Sequence, residues 1–326
     1  MTVLVVASEL DRTVDRVVIA LEQRNVPVFR TDCSWFPQRL TLDAELRDGH
    51  WQGSLATADR QVELSEVRSV WYRNPSPFVF PAGMSQAEVQ HAECEARIGL
   101  GGVLKSLPVL QVNHPHRVAA ATKPWQLTMA AGAGLSVPIT RITNTARAVG
   151  EFVGVAGGEV VCKLFANRVV EQECSKVGHT HLLTAADLAD LRGFDTTAHQ
   201  LQRFVDKRYD LRVVMVGERL FPVAIHPTSA AARVDFRSDY RALRHAVVDL
   251  PPTVQSGIRA LMAELGLVFG CLDFVVDQSG GHHYLEVNPT GQFGWLEALV
   301  GVPITEALAE LLARPRPAAT SYRESA

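Results

Sequence analysis

The chain's 326 residues suffice for two or three packed units with a sizeable core, and 47% apolar with 21% charged residues is the balance of an ordinary globular chain. A formal net charge of −3 excludes the overall basic field of a nucleic-acid binder. The five cysteines, Cys33, Cys94, Cys162, Cys174 and Cys271, are scattered and form no CxxC pair, so neither a disulfide framework nor a cysteine zinc site is indicated. No apolar run reaches the roughly 18 residues of a membrane helix, and the opening TVLVVAS lacks the charged start of a signal peptide. The expectation is a cytoplasmic protein whose partners are neither nucleic acid nor membrane.

In chain order, TVLVVAS reads as a strand, Asp11 to Arg24 as a helix capped by Asp11, and VPVFRTD as a second strand. Strand, helix, strand predicts a parallel α/β unit. The turn after the first strand is ASELDR, not GxGxxG, so no dinucleotide fingerprint is present. LTLDAEL, HWQGSLAT and VELSEV predict a small antiparallel run turning at Asp48-Gly49. VRSVWYRNP is a strand whose end, Trp71, Tyr72 and Arg73, is placed either to touch a ligand or simply to pack. Ser85 to Ser106 is a helix, VLQVNHP a strand, and a first domain, residues 1–115, ends near Pro115. His116 to Ala133 reads as one helix, GLSVPITRIT as a turn into a strand, TARAVGEFV as a helix and GGEVVCKLF as a strand carrying Lys163. Ala166 to His181 is a polar loop or hairpin, and LTAADLADLRG a short helix stopped by Gly193. A second unit is placed at 116–200 and a third at 201–314. The third contains three strands in LQRFVDKRYDLRVVMVGERLFPVAIHP, a polar arginine-bearing stretch from Thr228 to Arg244, and a helix from PPTVQSG to Gly266 with Pro at its start and Gly at its end. A last helix spans Ile304 to Leu312, and residues 315–326 are a Pro-rich tail expected to be disordered.

The chemistry concentrates in CLDFVVDQSGGHHYLEVNP. Two apolar runs joined at Gly280-Gly281 predict a β-hairpin. Alternation puts Glu286 and Asn288 on one face, and pairing brings Asp273 to them. Carboxylates in apolar surroundings need a cation or basic partners, and oxygen donors of this kind favour Mg²⁺. Lys163, inside the apolar VVCKL, must find an anion, snorkel or lose its proton. The LQRFV edge, Gln202 to Val205, offers backbone groups to a flat ring. There is no GxSxG, no Cys-His dyad signature and no HExxH, and a covalent hydrolase is disfavoured accordingly.

Taken together, Lys123, GLSVP, Lys163, QRFV, DLRVVMVG, LDF and EVNPTGQFGWLE, with VDFR at Val234 to Arg237, make the chain similar to the ATP-grasp carboxylate–amine ligases from about Asn113 to Glu297. It most resembles the microviridin-type peptide maturases that make graspetides. The resemblance implies an α/β (α+β) ATP-grasp fold behind an N-terminal pre-ATP-grasp domain. It also implies ATP and Mg²⁺ as cofactors, and a precursor peptide with leader and core segments as partner. Lys123 and Lys163 would hold the phosphates. Gln202, Arg203, Phe204 and Val205 would hold adenine, with Asp206 on the ribose. Arg212 would neutralise the transferring phosphoryl group, Arg233 and Arg237 would face the acceptor carboxylate or acyl phosphate, and Asp273, Glu286 and Asn288 would bind Mg²⁺. Arg203 stands where the family often has an acid after the hinge Gln, and Gly178 is the one glycine in a lid that relatives make glycine-rich. The implied activity is ATP-dependent macrocyclisation through acyl phosphates, giving ω-esters with Ser or Thr and ω-amides with Lys. Relatives suggest a homodimer, and the arginines between Arg203 and Arg244 are candidates for leader contact. Two rival readings are a ligase of small amino acids or of protein glutamylation, and a non-catalytic ATP-binding module. The intact Lys163, Arg212, Asp273, Glu286 and Asn288 argue against the module.

Overall fold

The computed structural model describes residues 1–165, 168–171, 174–177 and 180–314, the two short stretches by their backbone alone. Arg168–Glu171 and Cys174–Val177 pair antiparallel, as a hairpin expected between Ala166 and His181 requires. Gly178 and the tail from 315 to 326 lie outside the described residues.

The strands Val28–Thr31, Thr2–Ala7, Val67–Arg73 and Leu110–Val112 form, in that order, a parallel sheet. The first strand, TVLVVA, is buried from Val3 to Ala7 because both faces are covered. Val3, Val5 and Ala7 meet the helix Arg12–Glu22, and Leu4 and Val6 share a core with the helix Gln86–Lys105. The first helix starts at its expected cap, and the second at the expected Ser85. Asp11 accepts from the backbone of Thr13 and Val14, and Ser85 with Glu88 closes a capping box. Thr41–Arg47, His50–Ala56 and Gln61–Glu63 form the expected antiparallel sheet, with Asp48 and Gly49 both at positive φ in the hairpin turn.

A second four-stranded sheet has the order His181–Leu182, Val160–Lys163, His199–Arg203, Thr140–Thr143. The helix Ala146–Ala156 covers one face through Val149 and Phe152 against Val160 and Leu201. A boundary at 200/201 cuts the strand His199–Arg203; the chain changes sheets in the turn after Arg203.

The largest sheet is antiparallel, ordered Leu243–Val247, Arg219–Pro227, Lys207–Val216, Phe269–Asp277, His282–Asn288. Its Leu211, Val213, Leu272 and Phe274 face the helices Lys123–Gly132 and Pro252–Leu265. On the other face, Val214, Val216, Phe269 and Cys271 share one core with the parallel sheet and with the last helix, Ile304–Ala313. That cover stops at Arg212 and Asp273, which is where the polar residues begin.

Two expectations change and one helix is added. The single helix over His116 to Ala133 is two, Pro115–Ala120 and Lys123–Gly132, because Pro124 can open a helix but disfavours helical backbone before it. The helix in LTAADLADLRG is Ala185–Ala189, and Gly193, at φ 77, instead opens a 3₁₀ turn. The motif GWLEALV forms an unforeseen helix, Gly294–Val300. Among the described residues, no helix is long and apolar enough to cross a membrane.

Candidate active site

Strand register assembles the centre of the site. Arg212 pairs with Asp273, and Asp273 pairs with Glu286, so alternation lays the three side chains in one row across three neighbouring strands. Asn288, opposite Cys271, continues the same face. The Arg212 guanidinium donates to both Asp273 carboxylate oxygens, at 2.9 and 3.1 Å, and to the Gln292 carbonyl at 3.3 Å. Arg237 enters from the polar stretch after the short helix Ala230–Val234; it donates to Asp273 at 3.2 Å and lies 3.6 Å from Glu286. Its backbone N–H is held by the Asp235 carboxylate at 3.0 Å, and its guanidinium lies over the Phe236 ring. Burial acts against the charge on Arg237, and Asp273, Asp235 and Glu286 outweigh it.

Lys123 opens its helix and reaches across to Glu286 at 3.0 Å and to the Leu164 carbonyl at 2.7 Å. That helix is locked to the hairpin of Phe269–Asp277 and His282–Asn288 by Gln126, a buried side chain that sequence reading passed over. Its amide donates to the Val287 carbonyl and accepts from the Val287 N–H and the Tyr284 hydroxyl. Burial works against ionisation of Glu286, but Lys123, Arg237 and Lys163 overcome it, and the carboxyl titrates below its usual range.

The opposite wall is the cleft face of the smaller sheet. Lys163 pairs with Gln200 and Val161 with Gln202, so all four point the same way while Leu201 turns into the core. Burial brings Lys163 down to about 8, with Lys123, Arg237 and Lys207 adding to the effect and Glu286 opposing it. The Gln202 amide donates to the Thr140 hydroxyl at 2.8 Å. The N–H groups of Arg203 and Phe204 are taken by the carbonyls of Ile139 and Glu159, which fixes the hinge where the chain leaves this sheet. Lys207 and Asp210, also not expected from sequence, form a buried ion pair of 2.7 Å at the cleft floor, and burial raises Asp210 to about 6.

Between the two sheets lies a cleft lined by Lys123, Lys163, Gln202 to Val205 and Lys207, and bounded by Arg237, Asp273 and Glu286. A second, roomier cavity adjoins it, lined by Tyr240, His245, Asn288, Gln292 and Trp295. Arg237, Asp273 and Glu286 belong to both, and Arg212 faces the second. Two expected residues stand apart: Asp206 and Arg233 are exposed and line neither cavity.

Among the described residues no group of three His, Cys, Asp or Glu side chains is arranged to hold a metal ion. The expected set is two carboxylates and an amide, and all three line the second cavity. These are hard oxygen donors suited to Mg²⁺, which keeps part of its shell for water and phosphate. The residues therefore fit the ion, with the carboxylates held meanwhile by Arg212, Arg237 and Lys123.

A family model for the MvdD pre-ATP grasp domain matches residues 2–119. The chain is similar in structure to the macrocyclase MdnC of Microcystis aeruginosa MRC, solved with its precursor peptide MdnA: 30% identity, TM-score 0.82, 96% of this chain and 99% of that one. The macrocyclase MdnB of the same organism gives 28% identity and TM-score 0.79 over 96% and 99% of the two chains. A RiPP-associated ATP-grasp ligase of Chryseobacterium gregarium, solved with ADP and a leader and core peptide, shares the fold at 24% identity and TM-score 0.88, over 97% and 98%. Among curated proteins no relative matches.

Proposed function

Because the chain belongs to the ATP-grasp ligases that macrocyclise ribosomally made peptides, we propose that it matures a precursor peptide bearing a leader and a core segment. It is an ATP-dependent ligase. An Asp or Glu side chain of the core takes the γ-phosphoryl group of ATP, releasing ADP. A Ser or Thr hydroxyl or a Lys amine then attacks the acyl carbon, forming an ω-ester or ω-amide and releasing phosphate. Neither step needs a protein nucleophile; both need charge neutralised and reactants aligned.

The observation that carries this reading is the shared wall of the two cavities. A cleft with lysines and a backbone hinge, suited to a nucleotide, and a roomier cavity, suited to a peptide segment, meet at Arg237, Asp273 and Glu286. Lys123 and Lys163 hold phosphates, and Gln202 to Val205 hold adenine. Arg212 and Arg237 neutralise the transferring group and orient the acceptor carboxylate. Asp273, Glu286 and Asn288 hold Mg²⁺, which when bound draws negative charge from the phosphoryl oxygens. The exposed Arg203, Arg233, Arg241 and Arg244 are the surface offered to an acidic or helical leader. A cytoplasmic homodimer belongs to the same proposal, and light scattering tests the dimer.

The deciding experiment is mass spectrometry of the peptide encoded beside the gene after incubation with the protein, ATP and Mg²⁺. Loss of one water per ring with formation of ADP is expected. An unchanged peptide with ATP consumed on added free amino acids moves the assignment to a small-molecule ligase. No ATP turnover under either condition moves it to a binding module.

A further inference from the structure

Among the described residues Arg73 is the most deeply buried arginine, 1% exposed at the end of the strand Val67–Arg73, and it lines neither cavity. A buried guanidinium demands partners for all its donors. Its Nε donates to Asp11 at 2.9 Å, Nη1 to the carbonyls of Thr290 and Gly291, both at 3.1 Å, and Nη2 to the Gln292 side chain at 2.6 Å. The Thr13 hydroxyl donates to the same Gln292 oxygen at 3.1 Å, and Arg16 to the Gly294 carbonyl at 3.0 Å. Residues 290–294 are thus pinned from one side by the parallel sheet and its first helix. On the other side the segment touches the chemistry. It begins two residues after Asn288, and the Gln292 carbonyl accepts from Arg212. Gly291 sits so tightly on the strand Phe269–Asp277 that an added Cβ would lie 2.6 Å from the Cys271 sulfur.

We infer that Arg73 is a positioning residue of the ligase: from the N-terminal domain, it sets the 290–294 segment and through it Arg212 and Asn288. The parallel sheet is then a working part of the active site. This rests on the proposed metal and phosphoryl roles of Asn288 and Arg212, but its primary test needs no peptide.

The test is Arg73→Lys in the full chain, which keeps the charge and loses the planar fork. ADP affinity is measured by calorimetry with and without Mg²⁺, and folding by thermal melting. The gain in ADP affinity that Mg²⁺ confers should fall by about ten-fold, as for residues that orient metal ligands, while metal-free ADP binding stays at the wild-type level. An unchanged Mg²⁺ gain in a folded variant overturns the inference, as does an equal loss with and without metal. Should Arg73→Lys not fold, Asp11→Asn decides, because Asn still caps the helix but removes the charge facing Arg73. A smaller loss of the Mg²⁺ gain is expected there, and none overturns the inference. Ring formation by wild type is scored separately: its absence indicts the proposed function, whereas wild-type ring closure with an unaltered Mg²⁺ gain in the variant indicts Arg73 alone.

Discussion

The two walls of the cleft are built to different rules. On the large sheet every inward charge meets an opposite one: Arg212 with Asp273, Lys207 with Asp210, Glu286 with Lys123. Its central strands run ten and nine residues and are buried along nearly their whole length. On the smaller sheet the strands run four and five residues, and Lys163 faces a mainly basic neighbourhood. Among the described residues, buried polar atoms without a hydrogen-bond partner occur on both walls, Gln200 Oε1 on the small one and Asp210 Oδ2 and Arg212 Nε on the large one, so it is the charge pairing that differs. One wall is a charge-paired constellation, which under the proposed function orders transition-state charge in advance. The other is short of negative charge, which under the proposed function the nucleotide phosphates supply. On that reading stability and catalysis are fused on the large sheet and separable on the small one.

Arg212→Ala should break the fused wall most severely. Ring closure is expected to fall by about 10²–10³-fold, and urea unfolding to show a loss of up to about 3–5 kcal/mol, because the buried Asp273 loses its two-bond partner and keeps only the half-buried Arg237. Lys163→Met sharpens the contrast. It should cost about 10²-fold in turnover while leaving the urea midpoint unchanged or higher, since a desolvated charge is removed; a midpoint falling as far as that of Arg212→Ala would erase the distinction. Glu286→Gln should raise the Mg²⁺ concentration for half-maximal activity by about ten-fold, read from a metal titration of turnover. Arg237→Ala, at the boundary of the cavities, should slow cyclisation while sparing ADP affinity; a purely nucleotide-binding defect would remove it from the acceptor side. The mildest effect is on pH. Lys163 is charged below about 8 and neutral above it. Only the charged form attracts phosphate, so kcat/KM for ATP should decline as pH rises through that value, because this parameter reports the free enzyme. The burial cost on the folded protein lifts over the same rise, from about 8 toward the ordinary 10.5. Lys163→Met should abolish the inflection.

Much of the site was legible because strand alternation is a local rule. Asp273, Glu286 and Asn288 could be placed on one hairpin face from spacing alone, and the structure pairs them so. Lys163 was conspicuous as a charge inside an apolar run. The resemblance added Lys123 and Arg212, whose own surroundings in the sequence are unremarked. Arg233 and Asp206 were carried by motif position, and the structure leaves both exposed, outside the two cavities. Gln126, Lys207 and Asp210 were missed because their value lies in partners: Gln126 bridges to residues 158 and 161 positions away.

What the sequence determined by itself was local: the cap at Asp11, the helix opening at Ser85, the turn at Asp48-Gly49, the hairpin, and the stop at Gly266. Each depends on backbone preference or side-chain period within a few residues. Only the tertiary structure decided that the last helix returns to pack on the first, that Arg73 grips the segment after Asn288, and that two cavities share one charged wall. Those features join residues some 60 to nearly 300 positions apart, and the free energy that selects them comes from burying apolar surface and saturating buried donors across that distance.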